Sequence, residues 1–504
     1  KRASKIYFNR CAGCHGMLRK GATGPALLPK RLKKKYAGSA GIKAVVTYGL
    51  PGGMPAWGKL GFLKDEEIDL LSRFLQHDPP SPPEMSMAEM KKTWKVYVPV
   101  DKRPKKPYHK NWQNFFGVVL RDAGKVAIID GTTKKKISIV NTGFAVHILR
   151  SSASGRYFYS IGRDGRVTMI DLWMKKPDKV AEVKVCYDAR SVDSSKFKGY
   201  EDKYLIVGGY WPPSLIIMNG QTLEPLKVVC TASYTYDTYE YQREARAAAI
   251  VSSHHDPLWV VNIKETGYIW LVDYSDIDNL KITQIPAERF LHDGGWDATH
   301  RYVLMAANAR NTIVVVDTKT KKMIAKIKVG TKPHPGRGAN INHPKYGPLW
   351  LTGHIGDNTI ACIGVDPKGH KQYAWKVVKT IKLQPPGGGN LFIKTHPKSK
   401  WIWVDRPLHT NPKIIRTIYV INKETLEVEK RIELPKKFPG RAVHFEYNKG
   451  GDEVWVSVWA PKIKKSAIII FDDKTLKIKK EITGDWLITP TGKFNVYNTM
   501  KDLY

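Results

Sequence analysis

The stretch YFYSIGRDGRVTMIDL, residues 157–172, shows the pattern that decides most of the fold. Two short runs of β-branched and aromatic residues flank a tight glycine-containing turn, and the second run ends at an Asp. Seven other segments repeat this pattern: Val126–Val140 (in part), Tyr204–Val229, Leu258–Tyr274, Tyr302–Val329, Leu349–Val365, Trp401–Leu434 and Val454–Ile482. Eight units at an irregular period of roughly 45 to 55 residues are typical of β-propeller blades, whereas a two-sheet sandwich would not need eight copies.

The last part of the chain, from Trp486 to Tyr497, is again strand-like. We expect this segment to close the ring by pairing into an early blade. We therefore predict an all-β eight-bladed β-propeller over residues 113–504.

The N-terminal part has a different pattern. Residues 65–76 form an amphipathic run that carries Asp65, Glu66 and Glu67 in its first turn, where acidic side chains stabilise a helix. Residues 79–83 read Pro-Pro-Ser-Pro-Pro, which cannot continue a helix. We predict a small all-α domain over residues 1–80 and a linker over residues 81–112.

The small domain carries the run Cys11-Ala12-Gly13-Cys14-His15, which has the spacing for covalent attachment of a c-type haem. The two thiols add across the haem vinyl groups, and His15 becomes an axial iron ligand. A zinc site would need more ligands nearby, and a redox motif would need no following His. This pattern predicts a cytochrome c domain with one covalent haem c.

Met54 is the candidate for the second axial ligand of that iron. It lies 54 − 14 = 40 residues after Cys14, in a Gly-Gly-Met-Pro turn between Gly52 and Pro55. A thioether ligand raises the reduction potential, which suits an electron carrier.

The composition limits the possible partners. The 504 residues include 83 Lys and Arg against 46 Asp and Glu, a formal net charge of +37, so the protein attracts anions. Charges of both signs alternate and no nucleic-acid-binding motif accompanies them, which argues against nucleic acid. No run of eighteen apolar residues exists, so we expect no membrane span.

Charge also indicates an electron donor and a compartment. Residues 1–80 hold fifteen Lys and Arg against five Asp and Glu, or +10. We predict an acidic donor, either a cytochrome c or a cupredoxin. Because covalent haem attachment is completed outside the cytoplasmic membrane, we expect a mature chain in the periplasm or an equivalent compartment.

Three histidines of the propeller stand in unusual settings. His147 ends the run Thr-Gly-Phe-Ala-Val-His, while His292 is followed by Asp-Gly-Gly and His334 is flanked by prolines and glycines. We expect His292 and His334 on loops between blades, which converge on the mouth of the central channel.

At this point the residues match a known family. The haem motif with residues 16–20, and residues 53–58, 120–124, 170–173, 210–213 and 489–499, closely resemble the cytochrome cd1 nitrite reductases. The resemblance covers almost the whole chain. It implies non-covalent haem d1 in the propeller, a homodimer, and the dissimilatory one-electron reduction of nitrite to nitric oxide in denitrification.

The resemblance also implies residue roles. By motif, His147 resembles the proximal ligand of the haem d1 iron, and His292 and His334 resemble a catalytic distal pair facing nitrite. The chemistry is consistent, because nitrite and one electron need two protons to leave as nitric oxide and water, and imidazoles can supply them. The remaining implied contacts are Arg121 and Arg190 for anions and haem carboxylates, and Tyr210 as a pocket hydroxyl.

One departure and two alternatives stay open. Family members commonly have an N-terminal residue that reaches the haem d1 pocket, and the one tyrosine before the motif, Tyr7, is too near Cys11 to match it. One alternative is the haem d1 maturation dehydrogenase, which has the same architecture. The other is a non-enzymatic electron-transfer or haem-carrier propeller.

Overall fold

The structure, a computed structural model, describes residues 2–21, 24–50, 54, 56–59, 61, 63–460 and 465–504. The chain divides into two compact units, Lys1–Met85 and Ser86–Tyr504. Among the described residues, no helix is both long enough and apolar enough to cross a membrane.

The first unit is all-helical. Its helices are α1 (Arg2–Arg10), α2 (Ala12–His15), α3 (Pro29–Lys35), α4 (Gly38–Tyr48) and α5 (Asp65–Phe74). The last of these is the predicted amphipathic helix, which ends two residues earlier than expected. Asp65, Glu66 and Glu67 occupy its first turn, and Ile68 and Leu71 are fully buried against the neighbouring helices.

The predicted linker region, residues 81–112, contains ordered elements of the second unit. These are helix α6 (Met87–Thr93) and strand β1 (Lys95–Val96). Ser86 caps α6 by accepting the Glu89 backbone N–H, and β1 pairs with the strand at residues 178–184. The Pro-rich run therefore ends before residue 86, and the chain beyond it folds onto the propeller.

Eight antiparallel sheets form the propeller, and each matches one of the eight repeated segments. Blade 1 contains β2 (Phe115–Leu120), β3 (Lys125–Asp130) and β4 (Lys136–Asn141); blade 2 contains β5 (Ile148–Ser151), β6 (Tyr157–Ile161), β7 (Arg166–Asp171) and β8 (Asp178–Lys184); blade 3 contains β9 (Asp188–Ser194), β10 (Tyr204–Trp211), β11 (Ser214–Asn219) and β12 (Pro225–Cys230). A small hairpin, β13 (Ser233–Tyr234) with β14 (Tyr241–Gln242), follows blade 3.

The remaining blades continue in chain order. Blade 4 contains β15 (Ala247–Ser252), β16 (Leu258–Ile263), β17 (Tyr268–Asp273) and β18 (Lys281–Pro286); blade 5 contains β19 (Leu291–Trp296), β20 (Tyr302–Ala307), β21 (Thr312–Asp317) and β22 (Lys322–Lys328); blade 6 contains β23 (Ala339–His343), β24 (Gly347–Gly353), β25 (Thr359–Gly364) and β26 (Val377–Lys382). Blade 7 contains β27 (Ile393–Lys394), β28 (Trp401–Val404), β29 (Thr417–Asn422) and β30 (Val428–Glu433), and blade 8 contains β31 (Arg441–Tyr447), β32 (Glu453–Trp459), β33 (Ala467–Asp472) and β34 (Ile478–Ile482). Short 3-10 turns lie at Val100–Lys102, Trp112–Asn114, Arg121–Ala123, Asn308–Arg310 and Ile414–Arg416.

The C-terminal segment closes the ring, which confirms the fold class predicted from the repeats. Strand β35 (Pro490–Asn495) pairs antiparallel with β2 and completes blade 1, and helix α7 (Val496–Met500) follows it. The innermost strand of blade 1 therefore comes from the far end of the chain and joins the two ends of the ring. The innermost strands of most adjacent blades contact one another, so they form the inner ring.

Candidate active site

The haem c motif lies at the junction of α1 and α2. Cys11 is buried and Cys14 is exposed. His15 is buried, and its Nδ1 lies 2.7 Å from the carbonyl oxygen of Pro25. A donated Nδ1–H leaves Nε2 with its lone pair for iron, which is how ligating histidines are usually oriented.

Two further observations fit this site to a haem. Gly24 approaches His15 so closely that a Cβ on it would lie 2.8 Å from His15 Cε1, so the ring has no room on that side for a larger residue. Met54 is partly buried and packs against the apolar cluster that contains Cys11. The rest of its predicted turn, Pro51 to Gly53 and Pro55, lies outside the described residues.

A cavity of about 420 Å³ occupies the inside of the propeller. Most of the residues that line it come from the inner strands or from the segments that lead into them, so the cavity lies on the propeller axis. Its volume falls within the usual range of cofactor pockets. Five of the residues predicted for this site line it, namely Arg121, His147, Arg190, His292 and His334.

Tyr210 is the predicted pocket residue that does not line the cavity. It is 4% exposed, and its ring centre lies 6.0 Å from the Arg190 guanidinium carbon and 5.1 Å from that of Arg246. Tyr210 therefore lies next to Arg190 rather than in the pocket surface. Its predicted role as a pocket hydroxyl stays a prediction.

His292 and His334 face each other across one carboxylate. Their ring centres are 5.3 Å apart, and Asp293 lies 3.3 Å from His292 Nδ1 and 3.7 Å from His334 Nε2. His334 is on the loop before β23, as expected, but His292 lies inside β19. A register shift between Leu291 and Gly294 marks a bulge there, and bulges redirect side chains.

His147 immediately precedes β5, and its ring is exposed to the cavity although it lies deep inside the propeller. Removal from bulk water lowers the pKa of His147 well below its usual value, and Arg190, Arg163 and Arg121 lower it further. The imidazole is therefore neutral, which is the form that binds a metal.

Removal from water also lowers the pKa of His292, to about 4, although Asp293 opposes this effect. The pKa of Asp293 itself is lowered despite its own removal from water, because His334, His292 and the Gly336 N–H favour the carboxylate.

The cavity wall carries an excess of cations. It is lined by five basic side chains, Arg121, Arg150, Arg190, Arg337 and Lys394, against the three carboxylates of Asp293, Glu446 and Asp502. Arg150 is 7% exposed, and its Nε has no hydrogen-bond partner among the described residues. Such an arrangement fits a bound group with several carboxylates, because guanidinium groups are their natural partners. Haem d1 is such a group.

The ligand atoms of His292, Asp293 and His334 lie within 4.8 Å of one another, which is also the spacing of a metal site. The surrounding cations oppose a divalent metal there.

His444 is the main residue that sequence reasoning missed. It lines the cavity between Phe392 and Phe494, with ring centres 4.7 Å and 5.6 Å away. Its backbone has a φ of +56°, at a register shift between Val443 and Phe445. No glycine or proline marks this bulge in the sequence, so no local signal distinguishes His444 from an ordinary strand residue.

Comparison with known proteins follows the same division of the chain. Residues 110–499 match the family described as Cytochrome D1 heme domain. Residues 1–75 match the family described as Cytochrome C oxidase, cbb3-type, subunit III. The combination defines a class of proteins in which a cytochrome c unit is joined to a haem d1 propeller.

Individual relatives narrow this class. The nitrite reductase of Stutzerimonas stutzeri is 51% identical over 530 residues, which covers 100% of this chain and 94% of the relative. The dihydro-heme d1 dehydrogenase of Pseudomonas aeruginosa is 27% identical over 98% of this chain and 93% of its own. A solved structure of dihydro-heme d1 dehydrogenase NirN in complex with DHE covers 99% of this chain and 100% of its own, with a TM-score of 0.75 and 25% identity. The chain belongs to the cytochrome cd1 nitrite reductase family.

Proposed function

We propose that His292 and His334 are the catalytic residues of this enzyme and that His147 is the protein ligand of the haem d1 iron. The enzyme is a dissimilatory nitrite reductase, an oxidoreductase that accepts electrons at haem c and passes them to haem d1. It reduces nitrite with one electron and two protons to nitric oxide and water. The observation that carries the residue assignment is the pair of imidazoles that share one carboxylate in a cationic cavity.

Haem d1, when bound, supplies the iron that receives nitrite and the electron that reduces it. The protein supplies the protons. His292 and His334 lie close enough to act on one small anion, and imidazole is the side chain suited to proton transfer near neutral pH.

The basic residues of the cavity bind and orient anionic groups. Arg121 and Arg190 line the wall beside His147, where they attract the nitrite anion and pair with haem carboxylates. His147 offers a neutral imidazole. Its backbone is held in place, because the His147 N–H donates to the Ile161 carbonyl at 2.9 Å.

In the first unit, we propose that Cys11 and Cys14 attach haem c and that His15 and Met54 ligate its iron. The support is the motif, the His15 contact with Pro25, and the packing of Met54 against the Cys11 cluster. Tyr7, the tyrosine before the motif, donates its hydroxyl to the Gly16 carbonyl at 2.6 Å within the same unit.

We also propose an acidic cytochrome c or cupredoxin as the electron donor, a homodimer, and a periplasmic or equivalent compartment. The charge of +10 on residues 1–80 supports the donor. The resemblance to the family supports the dimer. The covalent haem motif supports the compartment.

The dehydrogenase alternative is less favoured, because that relative is 27% identical where the nitrite reductase is 51% identical. A haem carrier without turnover would not need two acid–base histidines in the cavity wall.

The test is His334→Ala in the holoenzyme, beside His292→Ala and the control His255→Ala, which changes an exposed histidine of the same unit. Loss of either cavity histidine should lower nitrite turnover by at least about 100-fold, the usual range for a general acid, while haem c reduction by a chemical reductant is unchanged. Wild-type turnover in His334→Ala and His292→Ala would refute their assignment. A purified protein that shows no haem d1 absorbance, made in cells that synthesise haem d1, would refute the cofactor.

A further inference from the structure

Helix α3 (Pro29–Lys35) carries a dense positive charge on the surface of the haem c unit. Five of its seven residues are cations and none is acidic: Lys30, Arg31, Lys33, Lys34 and Lys35. All five are exposed, whereas Leu32 is buried, with 4% exposure. The helix therefore turns one apolar side chain inward and presents its charges to solvent.

The cations of α3 are not neutralised within their own unit. Residues 1–64 contain no Asp or Glu, so the carboxylate side chains of this unit begin at Asp65. Among the described residues, the ion pairs of the unit join helix α5 to cations outside α3: Glu67 to Arg2 at 3.8 Å, and Asp69 to Lys43 at 3.9 Å and to Arg73 at 2.8 Å. The charge of α3 is therefore available to a partner.

The charge run does not stabilise the helix that carries it. Lys30 lies three and four residues before Lys33 and Lys34, and Arg31 lies at the same spacings before Lys34 and Lys35. Like charges at these spacings repel each other on a helix surface and destabilise it. Lys30 and Arg31 also lie in the first turn, where the macrodipole disfavours cations. A role outside the helix accounts for the run better than helix stability does.

Leu32 anchors α3 on the haem c site. It packs in the apolar cluster that contains Cys11 of the haem motif, and Met54 packs against the same cluster. Tyr36, the residue after α3, packs there too, and Lys35 Nζ lies 5.6 Å from its ring centre. A partner seated on α3 is therefore about one helix diameter, roughly 10 Å, from the apolar surroundings of Cys11.

An acidic protein and an anionic membrane surface both complement a cationic helix. A helix that lies on a membrane buries an apolar face in the lipid, but the apolar side chain of α3, Leu32, already faces the core of the unit. The enzyme also needs a protein that brings electrons to haem c in every turnover. Both observations favour an acidic electron carrier over lipid.

We propose that the five cations of α3 form the docking site for an acidic electron-donor protein. This inference rests on the proposed function, which includes an acidic donor, and adds the surface that recognises it. Carboxylates of the donor pair with the exposed cations of α3, and one electron then passes from the reduced donor, which becomes oxidised, to haem c. Such charge pairs act mainly on the rate of association.

The experiment uses the holoenzyme with three triple variants. Lys33→Gln with Lys34→Gln and Lys35→Gln removes three charges from α3, and glutamine has nearly the helix propensity of lysine. The corresponding triple Lys→Arg variant keeps the charges. The matched control removes three charges from an exposed turn of blade 5, between β21 and β22: Lys319→Gln, Lys321→Gln and Lys322→Gln.

The probe is plastocyanin, a small acidic cupredoxin. Stopped-flow absorbance gives the second-order rate constant of its electron exchange with haem c at several ionic strengths. Reduction of haem c by a neutral hydroquinone reports on the haem without protein docking. Sedimentation with vesicles of phosphatidylserine and phosphatidylcholine in equal parts tests the membrane alternative.

At low ionic strength the α3 glutamine triple should lower the plastocyanin rate constant about tenfold, because most of the attracting charge is gone. The α3 arginine triple and the blade 5 control should stay within about twofold of the wild type. All four proteins should converge at high ionic strength, where these charges are screened. Reduction by the hydroquinone should be the same in all four, and none should sediment with the vesicles.

Equal plastocyanin rate constants in the α3 glutamine triple and the blade 5 control would overturn the proposal. Slower reduction of the α3 glutamine triple by the hydroquinone would also overturn it, because α3 would then support the haem site itself. Vesicle binding by the wild type that the α3 glutamine triple loses would assign the helix to a membrane instead. A wild-type rate constant that does not change with ionic strength would refute the acidic donor of the proposed function.

Discussion

Lys493, in strand β35 of blade 1, offers a direct test of the electrostatics of the buried inner strands. Its side chain is 0% exposed, and its ammonium donates to the His444 carbonyl at 2.9 Å and to Ser457 Oγ at 2.7 Å. Burial lowers the pKa of Lys493 from 10.5 to about 7, although Glu446 and Asp405 favour its charged form. The perturbation is Lys493→Met, which keeps the length of the side chain and removes the titration.

The sign of the effect follows from proton counts. Between pH 7 and 10.5 the unfolded chain holds a proton on Lys493 that the folded protein lacks, so the free energy of unfolding of the wild type rises with pH. The slope is about 1.4 kcal/mol per pH unit, or about 3 kcal/mol from pH 7 to 9.5. Below pH 7 the buried charge costs the folded protein about 5 kcal/mol.

The substitution also removes two hydrogen bonds and leaves the His444 carbonyl and Ser457 Oγ without their donor. This loss costs about 1 to 3 kcal/mol for each group and does not depend on pH. We therefore expect the stability of Lys493→Met relative to the wild type to fall by about 3 kcal/mol between pH 7 and pH 9.5.

The assay is urea unfolding followed by far-ultraviolet circular dichroism at several pH values from 6 to 9.5. Lys176→Met, which changes an exposed lysine of the propeller, serves as the control and should parallel the wild type. A constant difference between Lys493→Met and the wild type across this range would refute the reasoning, because lost hydrogen bonds alone give a constant difference.

Three further predictions concern electron entry and the pocket. Electron transfer from an acidic donor should slow at least about tenfold between low and high ionic strength, because the charge of +10 on residues 1–80 steers the encounter; a flat stopped-flow profile would exclude this steering. Met54→Ala should lower the reduction potential of haem c in a redox titration, because thioether ligation raises it, and an unchanged potential would remove Met54 as a ligand. Tyr210→Phe should keep nitrite turnover within about twofold, because the hydroxyl lies outside the cavity lining and the ring still packs near Arg190; a large loss would show that the hydroxyl acts in the pocket.

The propeller could be predicted because each blade repeats the same local chemistry. The central strands of a blade are buried on both faces and read as dense apolar runs, as in β20 and β21 of blade 5. Closure by β35 was also predictable, since the segment from Trp486 is strand-like and has no other partner in the repeat pattern.

Prediction was weaker where position within a blade decides the environment. Cysteine is usually a buried residue, but Cys230 ends the outer strand of blade 3 and is exposed, whereas Cys186 and Cys362 are buried. The helix α6 was missed because the proline run before it dominates the local pattern, although Ser86 and Glu89 form a recognisable capping box.

The active site also contains residues whose environment the local sequence pattern does not predict. Glycine and proline mark the surroundings of His292 and His334, so sequence alone could single these residues out. It could not single out His444, whose place in the cavity depends on a bulge in β31 and on Asp405, which accepts the His444 N–H at 3.1 Å. Long-range contacts of this kind produce no local pattern in the amino-acid sequence.

Asp405 also connects the segment before strand β27 with strand β31 of blade 8. Its carboxylate accepts the backbone N–H groups of Leu391 and Phe392 at 2.8 Å and 2.9 Å, and Leu391 in turn provides the carbonyl that faces His334 Nδ1. Burial raises the pKa of Asp405 to about 6, because burying the charged carboxylate costs free energy. A buried carboxylate with three backbone donors orients a loop more rigidly than apolar packing alone, because each hydrogen bond fixes a direction. His334 therefore depends on two carboxylates: Asp405 holds the loop that orients its Nδ1, and Asp293 faces its Nε2.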